Sequence, residues 1–186
     1  LTFEPHPREF FAPASAPARL TILREKLELI AASGVEMTIV CAFNAHFAAL
    51  SADEFIGWVL QRGLQVRHLI VGDDFRFGQG RRGDFALLQQ AGLRSGFGVE
   101  AIEAVSIEGV RVSSSAVRQA LAVGDMTRAT ALLGRPYMID GRVVHGDKRG
   151  RQLGFSTANI HIRHLPLPMT GVFAVEVDGL EKRALP

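Results

Sequence analysis

Between Ala18 and Ser33 the apolar residues Leu20, Leu23, Leu27 and Ile30 recur at spacings of three and four, and Gly34 follows. That period lays one apolar stripe along a helix, and a glycine just past it is a helix stop, so an amphipathic helix is predicted over 18–33. From Val35 to Phe43 the helical period is lost and the run reads as a strand. Ser51 stands three residues ahead of Glu54, a spacing at which each side chain satisfies the other's free backbone amide. A helix is therefore predicted from Ala52 to Arg62, with Gly63 ending it. Val66 to Gly72 predicts a second strand, followed by a polar, glycine-rich loop from Asp73 to Gly83. A helix from Asp84 to Ala91, a strand from Val99 to Val105 and two helices, Ser114 to Val123 and Met126 to Leu133, complete this part. Alternating strands and helices, with strands apolar on both sides, predict an α/β domain whose parallel sheet is covered by helices.

The texture changes at Gly134-Arg135-Pro136. Beyond it Tyr137 to Val144 and Val172 to Val177 read as β runs with no helical period between them, so two domains are expected, 1–134 and 135–186. The second is short for an independent barrel. Leu1-Thr2-Phe3 reads as the end of a strand entering the turn Glu4-Pro5-His6-Pro7, and the chain stops inside the β-rich part; it is expected to be cut at both ends.

Composition narrows the class without choosing a function. Across 186 residues, 47% are hydrophobic and 22% charged, the balance of a globular protein. The formal charge is only +2, which gives no global field for nucleic acid or a membrane surface. Eighteen of the 21 basic residues are Arg, whose planar fork suits phosphate oxygens, although Arg usage also follows genome composition. The single cysteine, Cys41, excludes an internal disulfide and reads as an inert thiol in a buried strand. No apolar run is long enough to span a bilayer and no signal segment opens the chain, so a cytoplasmic location is expected.

Three segments carry chemistry. Gly72-Asp73-Asp74-Phe75-Arg76-Phe77-Gly78 leaves the carboxyl end of a strand, where open α/β sheets place ligands; a solvated turn with tucked aromatics fits the spacing equally. Arg111-Val112-Ser113-Ser114-Ser115, with Arg118 following, puts hydroxyls and free amides at a helix start that favours anions; plain serine capping fits as well. The third runs from Gly141 through His145, Gly146, Lys148, Arg149, Gly150 and Arg151 to Gly154-Phe155-Ser156-Thr157-Ala158-Asn159. Its glycines and cations suit phosphates, and in an extended chain Thr157 and Asn159 face the same way, able to offer oxygens to one Mg²⁺. A basic surface hairpin is the alternative. His6 is held between Pro5 and Pro7, whereas His46, His68, His161 and His164 lack metal-like spacing and read as structural or solvent-exposed.

In this order Thr2-Phe3-Glu4-Pro5-His6-Pro7, Gly72 to Gly78, Arg111 to Arg118, Gly134-Arg135-Pro136-Tyr137 and Gly154 to Asn159 resemble the bacterial bifunctional riboflavin kinase/FAD synthetase family. The resemblance implies a doubly wound, Rossmann-like nucleotidyltransferase domain with a parallel sheet, followed by the start of an antiparallel riboflavin kinase β-barrel. It implies two transferase reactions: ATP phosphorylates riboflavin to FMN, and FMN is adenylylated to FAD with release of pyrophosphate. ATP, riboflavin and FMN would be the small-molecule ligands, Mg²⁺ the cofactor, and neither nucleic acid nor membrane a partner. His6, Asp74, Arg76, Arg111, Ser114, Ser115 and Arg118 would bind ATP or FMN in the first domain. Gly146, Lys148, Gly150, Arg151, Gly154, Thr157 and Asn159 would bind ATP in the second, the last two holding Mg²⁺.

The family's His-x-Gly-His segment is expected before residue 1 and the kinase's catalytic glutamate after residue 186, so the fragment is expected to turn over neither reaction. Ser115 replaces the family's usual threonine and Ser156 its proline. Two other readings remain: a single-activity FMN adenylyltransferase with a regulatory barrel, and a non-catalytic nucleotide or nucleic-acid binding module.

Overall fold

The computed structural model describes residues 1–146, 154, 157–162 and 166–178. Strand β1 (Thr2–Glu4) leads through the cis Glu4–Pro5 peptide to helix α1 (Pro7–Phe11). Helix α2 (Leu23–Ala32) is followed by β2 (Val40–Ala42), which pairs in parallel with β1 in the register Thr2 to Val40. A short helix α3 (Ala45–Ala48) precedes α4 (Ala52–Glu54), which runs straight into a π-helical stretch, Phe55–Gly63. Strand β3 (His68–Gly72) pairs in parallel with β4 (Gly98–Ile102), and helix α5 (Phe85–Ser95) lies between them in sequence.

The hairpin β5 (Ser106–Ile107) and β6 (Val110–Arg111) then delivers the chain to helices α6 (Ser114–Ala122) and α7 (Met126–Leu133). Beyond them, β7 (Arg142–Val144) pairs antiparallel with β8 (Asn159–His161).

Caps explain most boundaries. Ser51 Oγ accepts from Glu54 N at 3.1 Å while Glu54 Oε2 accepts from Ser51 N at 2.8 Å, the predicted reciprocal pair. Asp84 caps α5, Ser113 caps α6 and Asp125 caps α7 by accepting from backbone amides near each helix start. Gly134 closes α7 at φ 70°, a left-handed conformation that glycine adopts without a Cβ clash.

Two apolar clusters hold the chain. In the first, Phe55, Ile56 and Leu60 of the π-helical stretch pack with Phe77, Leu88, Ala91 and Phe97, against one face of β3 and β4. In the second, Val117, Ala120 and Leu121 of α6 meet Ala129 and Leu132 of α7, with Tyr137 and Met169 laid against them. Burying such side chains stabilises by roughly 1.5–3 kcal/mol each.

Several expectations are corrected. Among the described residues the strands form four separate two-stranded ladders, two of them parallel, rather than one continuous doubly wound sheet. Helices do not cover both faces: Ile70 and Ile102 are 57% and 61% exposed. No closed barrel exists among the described residues, and Val172 to Val177 forms no strand because it finds no pairing partner among them. Tyr137 to Asp140 is likewise unpaired, Tyr137 being drawn onto the α6–α7 cluster.

Helix α2 starts at Leu23 instead of Ala18, because Ala18 O is taken by Arg118 Nε at 2.5 Å and the Arg19 side chain by Glu4 and Glu9. The helix predicted over 52–62 is only one turn of α before it widens. Cys41 is half-buried, with partial burial pushing its thiol pKa up. Among the described residues no helix is long and apolar enough to cross a membrane.

Candidate functional site

Four sequence-predicted residues converge. His6 caps α1, Ser114 and Ser115 open α6, and Arg118 follows one turn later; all four line one cavity of about 350 Å³. The convergence has a local cause: Arg118 bonds the carbonyl of Ala18, which ties α6 to the segment between α1 and α2.

His6 Nδ1 accepts from Arg8 N at 3.1 Å, and Glu9 Oε2 accepts from His6 N at 3.2 Å. The acceptor role of Nδ1 assigns the ring proton of neutral His6 to Nε2. Although His6 is exposed overall, desolvation of its ring lowers its pKa below the ordinary 6.5; Lys26, Arg8 and Arg118 act in the same direction and Glu9 opposes them. Arg118 has no carboxylate partner among the described residues, and its pKa is lowered, first by burial and then by Arg8. A half-buried cation without a carboxylate partner keeps donors that suit an anion.

Sequence reasoning missed the frame around this cavity. Arg19 Nε donates to Glu9 Oε1 at 2.6 Å and Nη2 to Glu4 Oε1 at 2.6 Å, and Nη2 also reaches Glu9 Oε2. The pairing lowers the Glu9 pKa, the Arg19 hydrogen bond being the largest cause. Arg8 and Lys26 also line the cavity. The charged flanks of the His6 turn, Glu4, Arg8 and Glu9, were the one available signal; Lys26 sits on an ordinary polar helix face and gave none.

The remaining predicted residues of the first part lie apart from that cavity. Arg76 lines a second cavity, of about 510 Å³, which is walled by Phe3, Phe11, Phe43, Phe47 and Phe75. Its guanidinium pairs with Asp84, Nη1 to Oδ2 at 3.0 Å. The rings meet edge to face, as at Phe3 and Phe47 with centroids 5.4 Å apart, while Phe75 stacks on Phe77 at 5.6 Å. Asp74 and Arg111 meet each other instead: Arg111 Nη2 is 3.4 Å from Asp74 Oδ2 and 3.5 Å from Asp73 Oδ1. Arg8 lines both cavities, so the polar one and the aromatic one adjoin. A third cleft, of about 950 Å³, runs along α2 and holds none of the predicted site residues.

In the second part Val144 pairs with Asn159, and a Cβ added to Gly146 would run into the Asn159 side-chain amide, so glycine there leaves room for that group. Gly154, Thr157 and Asn159 are exposed. Lys148, Gly150, Arg151 and Ser156 lie outside the described residues. Among the described residues no group of three or more His, Cys, Asp or Glu side chains is placed to hold a metal.

Known proteins match this arrangement. Residues 1–116 match the FAD synthetase family and residues 133–186 the riboflavin kinase family. The whole chain is 52% identical to the bifunctional riboflavin kinase/FMN adenylyltransferase of Escherichia coli K12, of which it spans 59%. The proteins of the same name from Pseudomonas fluorescens and Haemophilus influenzae are 51% and 47% identical over 95% of this chain, which spans 56% and 58% of them. A crystal structure described as a macrolide-efflux protein from Streptococcus pneumoniae superposes with a TM-score of 0.72 at 28% identity, covering 91% of this chain and 55% of its own.

Proposed function

We propose that this chain, which belongs to the FAD synthetase family, is the nucleotide- and flavin-binding portion of an enzyme that converts riboflavin to FMN and FMN to FAD. The observation that carries this reading is the pair of adjoining cavities, one cationic with His6, Ser114, Ser115 and Arg118, the other aromatic. A triphosphate suits the first by charge, and a flat apolar ring suits the second by stacking.

In adenylyl transfer a phosphate oxygen of FMN attacks the α-phosphorus of ATP, and the bond to the β-phosphate oxygen breaks, releasing pyrophosphate. No side-chain nucleophile takes part, so alignment and charge neutralisation are the protein's tasks. Arg118 and the amides at the start of α6 neutralise the phosphates. His6, with Nε2 protonated, donates a hydrogen bond. Arg76 leaves Asp84 to meet the flavin's polar edge, and Arg111 with Asp74 closes the far rim of the site.

In the second domain, 135–186, the same reading assigns ATP to the loop holding Gly146, Lys148, Gly150, Arg151 and Gly154. Thr157 and Asn159 fit Mg²⁺ as hard oxygen donors, and the space over Gly146 accommodates the Asn159 carboxamide. Bound there, Mg²⁺ would neutralise phosphate charge. The protein would act in the cytoplasm on small molecules alone.

The test is product chromatography after the full-length protein, of which this chain is a portion, is incubated with riboflavin, ATP and Mg²⁺. FMN and FAD are expected. FAD from supplied FMN, with nothing from riboflavin, would leave the adenylyltransferase assignment standing and remove the kinase one. Failure of the protein to bind either ATP or FMN would overturn both.

A further inference from the structure

Four permanent cations, Arg8, Arg19, Lys26 and Arg118, line the cationic cavity against a single lining carboxylate, Glu9. They are not equivalent. Arg19 is held through Nε and Nη2 by Glu4 and Glu9. Arg118 holds a backbone carbonyl through Nε.

Lys26 has only one ionic neighbour among the described residues. Its Nζ lies 3.9 Å from Glu4 Oε2, beyond hydrogen-bond reach. That carboxylate oxygen is itself buried and accepts no hydrogen bond. The pair is therefore close enough to hold the ammonium beside the cavity and too loose to occupy its three N–H donors. The side chain is 26% exposed, so the ammonium reaches the cavity wall without being sealed from solvent.

Position adds to this. Lys26 lies in the first half of α2, beside the polar wall that carries Ser114, Ser115 and Arg118. It is also the strongest positive influence lowering the His6 pKa, ahead of Arg8 and Arg118. A cation with unused donors, lining a cavity whose Arg19 is already held by two carboxylates, is placed to take phosphate oxygens as they enter.

Building on the nucleotide reading of this cavity, we infer that Lys26 is a further triphosphate-binding residue, with Glu4 the carboxylate that keeps its ammonium at the wall until phosphate displaces it. Lysine suits the task as a rotatable point charge, where a guanidinium would lock onto a carboxylate in two bonds as Arg19 does with Glu9.

The experiment is calorimetric titration of the 186-residue chain with ATP and with inorganic tripolyphosphate, for wild type, Lys26→Gln and Lys26→Arg. Losing one charge-assisted contact is expected to weaken both ligands roughly 10-fold in Lys26→Gln. Lys26→Arg should recover part of that loss. FMN affinity, read by flavin fluorescence, should stay within about 2-fold, since Lys26 does not line the aromatic cavity. A folded Lys26→Gln, with an unchanged thermal transition, that binds ATP and tripolyphosphate as wild type does would overturn the role of Lys26 and leave the cavity's assignment intact. A wild type that binds neither phosphate ligand would overturn the assignment and this inference together. If Lys26→Gln is unfolded, the steeper fall of tripolyphosphate affinity with salt in wild type than in a folded Lys26→Met decides the matter; equal slopes refute the contact.

Discussion

The cavity between α1 and α6 and the loop from Asp73 to Asp84 both carry arginines where a nucleotide and a flavin are expected, yet their charges are managed in opposite ways. In the cavity, among the described residues, Arg118 hydrogen-bonds only a carbonyl and Lys26 has no hydrogen bond beyond its loose pairing with Glu4, so positive charge stands ready. At the loop both predicted arginines are already paired: Arg76 of the loop with Asp84, and Arg111, reaching in from β6, with Asp73 and Asp74. A ligand entering the cavity gains contacts outright. One reaching the loop must exchange them, and each exposed pair it breaks is worth little. On the proposed reading the cavity would supply affinity and the loop would rearrange as the second substrate arrives.

The sharpest way to break this contrast is to remove one arginine from each region. Arg118→Ala is expected to weaken ATP binding about 100-fold, because a desolvated, charge-assisted contact disappears. Arg111→Ala should cost less than about 5-fold, since its guanidinium starts out paired. Equal losses in calorimetric titrations would abolish the distinction.

A second probe concerns how the loop is anchored. Gly78 has φ 72°, and a Cβ there would approach Ala52 N at 2.6 Å. Gly78→Ala is expected to lower stability by about 2 kcal/mol in urea unfolding, combining backbone strain with overpacking. A neutral result would mean that the loop is not seated on α4.

Smaller effects refine the picture. Asp84→Asn keeps a capping side chain for α5 but frees Arg76, so FMN affinity should rise about 2- to 5-fold with α5 still helical by circular dichroism.

His6 gives the smallest signal and a definite sign. Its free-state pKa is depressed, and an anion beside it favours the charged ring, so binding raises the pKa. The bound form then holds more protons, and ATP binding should take up a fraction of a proton at about pH 6 and none at about pH 8. Titrations in two buffers of different ionisation enthalpy read this directly, and proton release at the lower pH would place the phosphates away from His6.

What could be read in advance was local. Ser51 with Glu54, and Gly134 past α7, act within one turn, and the helices they bound appear where the pattern puts them. The convergence of Ser114, Ser115 and Arg118 on His6 was legible only through motif resemblance, since more than a hundred positions separate them in the chain. Lys26 escaped because a lysine on a polar helix face looks the same whether it meets water or a cavity. Val172 to Val177 misled for the reverse reason: apolar residues suit a strand, but a strand exists only by pairing, and none pairs there among the described residues. The α2 start also depended on distant groups, as Ala18 and Arg19 are engaged by Arg118, Glu4 and Glu9 before any helix can claim them.

Glu25, only 3% exposed, accepts from Ile22 N at 2.8 Å with one oxygen and from Asp140 N at 2.9 Å with the other. Its neighbour in sequence is Lys26. Adjacent residues on a helix point about 100° apart and cannot move independently. Helix α2 therefore serves two regions from adjacent positions: Lys26 lines the cationic cavity, and Glu25 grips the chain two residues before β7.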